Sequence, residues 1–302
     1  MSDQYNVPLW VGEFGENSNH WVHYKVNLFE QHDIGWSSWN YKHNGSITPV
    51  MRVEVPESFQ VILNYWNNTI QTITAEEVET GLMDLAEAYR FENCTQNRGL
   101  LHAMTHPDFE IISSPYEAIT IPATLEAVYY DMGANGVAYL DYTYEDPAKF
   151  SGDSQSWNNG WAYRNDGVDI QTAQDTEGSP YNVGWMENGE WMYYTVEVPI
   201  GGVYQVLCRV ASQNNNGLLA ISIPSQSQEI IMEIPNTGGY RSWAWTEPDT
   251  MEIGPGPALI SMMVYSGGFN LKDIQITLIS GNNTLPDNFA ILSYPNPFNS
   301  TT

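Results

Sequence analysis

Eight consecutive residues at Trp191–Val198, WMYYTVEV, alternate between two faces, the period expected of a half-buried antiparallel strand. Met192, Tyr194, Val196 and Val198 make a face suited to a core, while Trp191, Tyr193, Thr195 and Glu197 make the other. Trp185 precedes the strand, in a loop bounded by Gly184 on one side and by Asn188 and Gly189 on the other. Trp185 and Trp191 are therefore large rings at positions that a strand's core does not require. A flat apolar ring turned to solvent is a platform for the C–H faces of a sugar ring, which makes carbohydrate the first ligand to consider. The plain alternative is that Trp185 packs beneath a neighbouring loop and Trp191 beneath another strand, since scattered surface aromatics are ordinary.

The charge balance narrows the partners. Ten basic residues against 36 acidic ones leave a net charge of −26, which repels phosphate backbones and anionic lipid heads and argues against nucleic acid and membrane surfaces. Only 15% of residues are charged and 13% are aromatic, so the acidity does not belong to a disordered tail. A chain of 302 residues has room for about two domains, each with its own core. The abundance of amides, glycine and aromatics is common in secreted proteins that handle polysaccharides.

Two cysteines occur, too few for a disulfide framework and without histidines at zinc-ligand spacing. Cys208 shares a strand face with Tyr204, Val206 and Val210 and is expected to be a buried thiol; Cys94 falls in a different region. Sequons at Asn44, Asn67, Asn93 and Asn282 permit glycosylation without requiring it. No apolar run is long enough to span a membrane, and the start, MSDQYNVP, has neither the charge nor the apolar stretch of a secretory leader. It enters in the middle of a pattern, and the expectation is that the natural protein is longer.

Residues 8–14, PLWVGEF, form a nearly continuous apolar run, expected as a parallel strand buried on both faces. Asn17 and Ser18 can cap a helix with Trp21, Val22, Val26 and Phe29 on one stripe. Residues 34–39, IGWSSW, read as a second buried strand, and Glu57–Trp66 as a helix with Phe59, Ile62, Leu63 and Trp66 on one side. The unit is β-α-β-α. A capping box, TAEE from Thr74, then opens a helix carrying Val78, Leu82, Leu85 and Tyr89. Leu100, Leu101 and Met104 extend helical character, and residues 107–119 read as a linker without periodicity. From about Ile121 short alternating segments are separated by Gly, Asn and Pro clusters, the texture of an antiparallel sandwich.

The residues from PLWVGEFGEN to GWSSWNYK, together with YRFENCTQNRGLLHAM, resemble the last two strand-helix units of glycoside hydrolase family 5, over roughly residues 5–105. The resemblance implies a piece of a (β/α)8 barrel over residues 1–106. It makes Glu13, at the end of its strand, the nucleophile of a retaining mechanism, and it places Trp39, and less directly Trp36, beneath the substrate. Retaining hydrolysis needs a second carboxyl group about 5–5.5 Å away as acid/base. The family draws it from an Asn-Glu pair, and no such dipeptide occurs in this chain. Two strands cannot close a barrel, so the chain alone is expected to be inactive.

Residues 120–279 resemble carbohydrate-binding module family 6 through IPATLEAVYYDMGANGVAY, YRNDGVDI, YNVGWMENGEWMYYTVEVPIGGVYQVLCRVAS, TGGYRSW and SGGFNLKDIQI. The implied fold is a jelly-roll-like all-β sandwich, which makes the whole chain a mixed architecture. The implied site is a rim cleft holding a sugar between two aromatics, with an Asn bonding its hydroxyls. Trp185 matches the first aromatic, Trp243 or Tyr240 the second, with Trp243 preferred, and Asn270 the polar contact. Trp191 matches a sheet-face position that some members use as a second cleft. Many members hold a structural calcium; here Glu126 is kept, but Val128 and Lys272 stand where oxygen ligands are common. Calcium is therefore disfavoured, and no cofactor is required. Asp141, Asp166 and Asp169 could build another cation site, although solvated loop carboxylates are the commoner reading.

Residues 280–302 contain LPDNFAILSYPNPFNSTT, which resembles the start of type IX secretion sorting domains. That implies contact with a bacterial secretion machinery and an extracellular or cell-surface location. The combined expectation is a β-glucan-directed polysaccharide-degradation protein. Its alternatives are a hydrolase completed by the missing strands, and a non-catalytic adhesion protein.

Overall fold

A computed structural model describes residues 7–145 and 157–281. Strand β1 (Trp10–Gly15), helix α1 (Asn19–Gln31) and strand β2 (Gly35–Trp39) form a β-α-β unit, the two strands pairing in parallel with Trp10 opposite Gly35 and Gly15 opposite Trp39. The Ser18 hydroxyl accepts from the Trp21 N–H at 3.2 Å, so α1 starts where the capping residues predict. Val22 and Val26 are buried and pack with Leu100, with Phe14 and Trp36 beside them. The expectation of strands buried on both faces is not met. Only the α1 side of β1–β2 is covered, and the other side leaves Trp10 69% and Trp39 52% exposed. Among the described residues no further strand joins this pair, and no barrel is formed.

Three short strands follow as a separate sheet: β3 (Lys42–Asn44), β4 (Met51–Val53) and β5 (Thr95–Gln96), with β4 in the middle. Helix α2 (Glu57–Trp66) buries Phe59 and Ile62 as its periodicity predicts. Helix α3 (Ala75–Ala88) carries the complete capping box at Thr74 and Glu77. Its apolar stripe, however, is only partly used, and Leu82 is exposed. The two helices meet at Gly81, where a Cβ would lie 2.7 Å from the Ser58 carbonyl oxygen; a larger residue would force them apart. Helix α4 (Arg98–Thr105) closes this region on α1 through Leu100. Residues 107–119 contain turns rather than a helix, yet they are anchored: Phe109 and Tyr116 are both buried.

The remainder is a two-sheet sandwich, as the alternation predicts. Its short leading elements are β6 (Ile119–Thr120), β7 (Ala123–Glu126), β8 (Tyr139–Leu140), α5 (Tyr142–Glu145), β9 (Ile170–Thr172) and β10 (Tyr181–Val183). The longer strands are β11 (Trp191–Val198), β12 (Gly202–Ser212), β13 (Gly217–Ile223), β14 (Gln228–Ile234), β17 (Gly256–Ser266) and β18 (Phe269–Gly281), with β15 (Ala244–Trp245) and β16 (Asp249–Ile253) between. One sheet runs β15-β12-β18-β10-β9, with β16 on β12 and β7 on β18; the other runs β14-β13-β17-β11-β6, with β8 on β11. Met192, Tyr194, Val196 and Val198 of β11 face Tyr204, Val206, Cys208 and Val210 of β12 in one core cluster. Both cysteines are free, and Cys208 is fully buried; burial raises its thiol to about 12, so it is inert at neutral pH.

The two regions are joined at residues 163–166. The Asn19 N–H donates to the Asn165 carbonyl at 2.9 Å, and the Asn165 amide donates to the Asn17 carbonyl at 2.9 Å and to Asn19 Oδ1 at 3.1 Å. Arg164 is buried behind this contact, its guanidinium 4.3 Å from the Tyr116 ring centre and 3.6 Å from that of Tyr130. It donates to the carbonyls of Val128, Tyr130 and Asp131 and to the Asp166 carboxylate. Such a buried cation is tolerable only because its donors are answered.

Candidate functional site

Strand β10 delivers Gly184 and Trp185 to the rim. Trp185 has a φ of +49°, a left-handed conformation uncommon outside glycine, and its ring remains 42% exposed. Gly184 must stay small, because a Cβ there would sit 3.0 Å from Asn270 Oδ1. Across the rim, the turn through Gly238 and Gly239 is pinned to Ser212 by the Thr237 and Gly239 N–H groups. That turn presents Tyr240, 41% exposed. Asn270, buried at the start of β18, donates to the Tyr240 carbonyl at 2.7 Å and so ties the turn to the sheet.

Trp185, Tyr240 and Asn270 line one cavity of about 410 Å³, floored by Met186 and Phe269. Sequence reasoning did not single out Arg241, Gln171, Thr143, Asn159 and Glu187, which line it too. Arg241 lay within the TGGYRSW stretch; its donation to Gln171 Oε1 at 3.1 Å depends on β9, far away in sequence. The arrangement offers two aromatic rings and a set of amide, guanidinium and carboxylate groups, the chemistry that holds a polyhydroxylated ring.

Trp243, the preferred second aromatic, does not line this cavity. Its indole N–H donates to the Ala173 carbonyl at 3.0 Å, and the Lys272 ammonium lies 5.7 Å from its ring centre. The turn thus sends Tyr240 into the cavity and Trp243 onto the sheet behind it. Trp191 lies elsewhere again. Its ring is 4.4 Å from that of Tyr193 on the outward side of β11, beside Met263 of β17.

In the first region Glu13 is exposed on β1. Trp36 points to the helix side, its indole N–H donating to Glu30 at 2.7 Å and its ring edge-on to Phe14 at 5.5 Å, whereas Trp39 stands exposed. The structure therefore does not place the two tryptophans alike.

The residues around Glu126 do not suit calcium. The Ser179 hydroxyl donates to Glu126 at 2.6 Å. Next to it the wholly buried Lys272 ammonium lies 2.8 Å from Asp175 and 3.7 Å from Asp273 and donates to the Glu177 carbonyl. An ammonium thus holds the space among oxygens that a calcium ion, which collects roughly six to eight of them, would need. Arg209 and then Lys272 keep the Asp175 carboxyl well below the usual range.

Asp141, Asp166 and Asp169 are buried rather than solvated, and they do not converge. Asp166 accepts from Tyr130 and Arg164. Asp141 and Asp169 instead group with Glu190; burial first, and for Asp169 and Glu190 then the charge of Asp141, raises all three carboxyls, Asp141 to about 6 and the others to about 8. Asp169 accepts from the Asn159 amide at 2.9 Å. Among the described residues no group of three or more His, Cys, Asp or Glu is arranged to hold a metal ion.

Residues 162–278 match the model of carbohydrate-binding module family 6. A curated relative, the clotting factor G alpha subunit of Tachypleus tridentatus, is 29% identical over 114 residues, covering 37% of this chain and 17% of that protein. Among solved structures, a family 6 module of Cellvibrio mixtus lichenase 5A in complex with cellotriose is 32% identical, covering 38% of this chain and 88% of that one with a TM-score of 0.35. The C-terminal family 6 module of a marine laminarinase from Zobellia galactanivorans is also 32% identical, over 36% of this chain and 87% of that one, with a TM-score of 0.32. The chain thus contains a family 6 module, a carbohydrate-binding sandwich. Among the described residues no helix is long and apolar enough to cross a membrane.

Proposed function

We propose that this chain, which carries a family 6 carbohydrate-binding module, holds a β-glucan chain at the rim cavity and targets a polysaccharide-degrading protein to it. One observation carries the reading: Trp185 and Tyr240 both line one cavity over Asn270. Rings at such positions stack on sugar faces, while the buried amide and Arg241 bond hydroxyls. Stacking contributes about 1–3 kcal/mol per ring by analogy with bases on aromatic side chains. The choice of β-glucan rests on the resemblance of residues 5–105 to family 5 hydrolases.

In this reading the first region is the nucleophile-bearing end of a retaining glycosidase barrel, with Glu13 as nucleophile and Trp39 beneath the sugar. The parallel β1–β2 pair over α1 supports it. So does the bare face exposing Trp10 and Trp39, which is what a piece of a larger sheet presents. That face also favours a second reading, in which the missing strands restore hydrolysis. Without an acid/base partner the chain alone turns over no β-glucan. The sorting-like tail, which lies outside the described residues, places the protein outside a bacterial cell or on its surface.

Calorimetric titration of the full chain with cello- and laminari-oligosaccharides tests the binding. Trp185→Ala and Tyr240→Ala are expected to lose it, and unchanged affinity in both would refute the rim site. Glu13-dependent turnover by the purified chain would overturn the inactive assignment.

A further inference from the structure

We propose that the glycan site continues beyond the rim cavity, over Trp161, into a groove whose far wall is built by the first region. This rests on the reading of the rim cavity as a β-glucan site and extends it.

A second cavity, of about 600 Å³, lies between the two regions. Arg52, Val53, Glu54 and Thr95 line it from one side, and Trp161 and Tyr181 from the other. Trp161 is 46% exposed and is held at a φ of +44°, the left-handed region that a bulky residue adopts only when its surroundings impose it. It follows Gly160 (φ +77°), where a Cβ would lie 3.1 Å from the Trp185 ring. The two exposed tryptophans are therefore neighbours across one glycine, Trp185 in the rim cavity and Trp161 in the groove. Trp157 packs edge-on to Trp161 at 5.8 Å and 88°, so the second ring is braced.

The groove supplies polar groups as well. Arg52 donates to the Tyr163 carbonyl at 2.6 Å, which places its guanidinium at the junction. Its Nε is buried with no acceptor among the described residues, an arrangement that is costly while the donor stays unanswered. Glu54, beside it, is exposed. A braced aromatic platform, a guanidinium in the lining and a carboxylate acceptor are the components of the rim cavity repeated. The ligand they fit is more of the same neutral polyhydroxylated chain, so the groove acts on length rather than on sugar type. The wall exists because Asn165 and Arg52 fasten the first region to the sandwich, which gives that region a binding role independent of hydrolysis.

The test is calorimetric titration of the full chain with a β-glucan disaccharide and hexasaccharide. Wild type is expected to bind the hexasaccharide more tightly. Trp161→Ala should weaken the hexasaccharide by about fivefold or more, the low end for one stacked ring, and leave the disaccharide unchanged. Arg52→Met should act in the same direction, and Trp161→Phe should restore most of the affinity; unaltered thermal melting confirms folding in each. If Trp161→Ala and Arg52→Met leave the hexasaccharide unaffected, or weaken both sugars equally, the groove is not a glycan subsite although the rim site stands. If neither sugar binds wild type, or Trp185→Ala changes neither, the rim reading itself has failed.

Discussion

Replacing Lys272 with methionine removes a cation from a site with no exposure to solvent, 2.8 Å from Asp175 and 3.7 Å from Asp273. Deleting one partner of a buried pair costs about 3–5 kcal/mol, because the other charge is left uncompensated. Asp175 still has Arg209 at 2.8 Å, whereas among the described residues the Asp273 carboxylate keeps the Ser179 N–H at 3.2 Å as its hydrogen-bond donor. The low end, about 3 kcal/mol, is therefore expected. For a domain of this size each kcal/mol moves the midpoint by about 2–4 °C, so Lys272→Met should melt about 6–12 °C lower.

Differential scanning calorimetry of the full chain at neutral pH reads this directly. The depressed Asp175 carboxyl adds a pH signature. Its stabilising contribution is present above the ordinary aspartate range, near pH 4, and disappears as the pH falls through the lower folded-state value. The gap between wild type and Lys272→Met should therefore narrow below about pH 4. A loss smaller than about 2 °C would refute the buried-pair argument. So would a rise in wild-type midpoint with added calcium that Glu126→Gln abolishes, since the pocket would then take a metal despite its ammonium.

The cluster of Asp141, Asp169 and Glu190 works in the opposite direction. Its folded-state carboxyls are raised, to about 6 for Asp141 and about 8 for the others, so the folded chain binds more protons than the unfolded one between about pH 4 and 8. Stability should fall across that window as pH rises, and Asp169→Asn should flatten the decline in a series of thermal melts. Trp243→Phe removes the indole donor to Ala173 and should lower stability by about 1 kcal/mol while leaving glycan affinity intact, the reverse of Tyr240→Ala. Asn165→Ala cuts both donations to the start of α1 and should expose residues 17–23 to faster amide exchange, with the core of β12 and β18 unchanged.

The sandwich was legible because a strand's period is local. The burial of Met192, Tyr194, Val196 and Val198 is already written in their alternation, since neighbouring side chains on a strand must take opposite faces. The same holds for the caps at Ser18 and Thr74, where the partners are three residues apart. The resemblance to family 6 modules, which the match over residues 162–278 then supported, had also named Trp185 and Asn270, and both line the rim cavity.

Other choices needed partners distant in sequence. Tyr240 and Trp243 lie three residues apart in one turn, and nothing within that turn says which ring enters the cavity. The answer comes from Ala173, whose carbonyl accepts the indole N–H, and from Asn270, whose amide donates to the carbonyl of Tyr240. Likewise, apolar runs at β1 and β2 express a capacity for burial on two faces, and only the packing of α1 on one side decides how much is used. Sequence by itself determined faces, caps and ring positions, which depend on neighbours along the chain. Tertiary structure alone decided which rings share a cavity, that Lys272 sits among carboxylates as their cation, and that residues 52–54 wall a groove beside Trp161, because each depends on groups brought together from opposite ends of the fold.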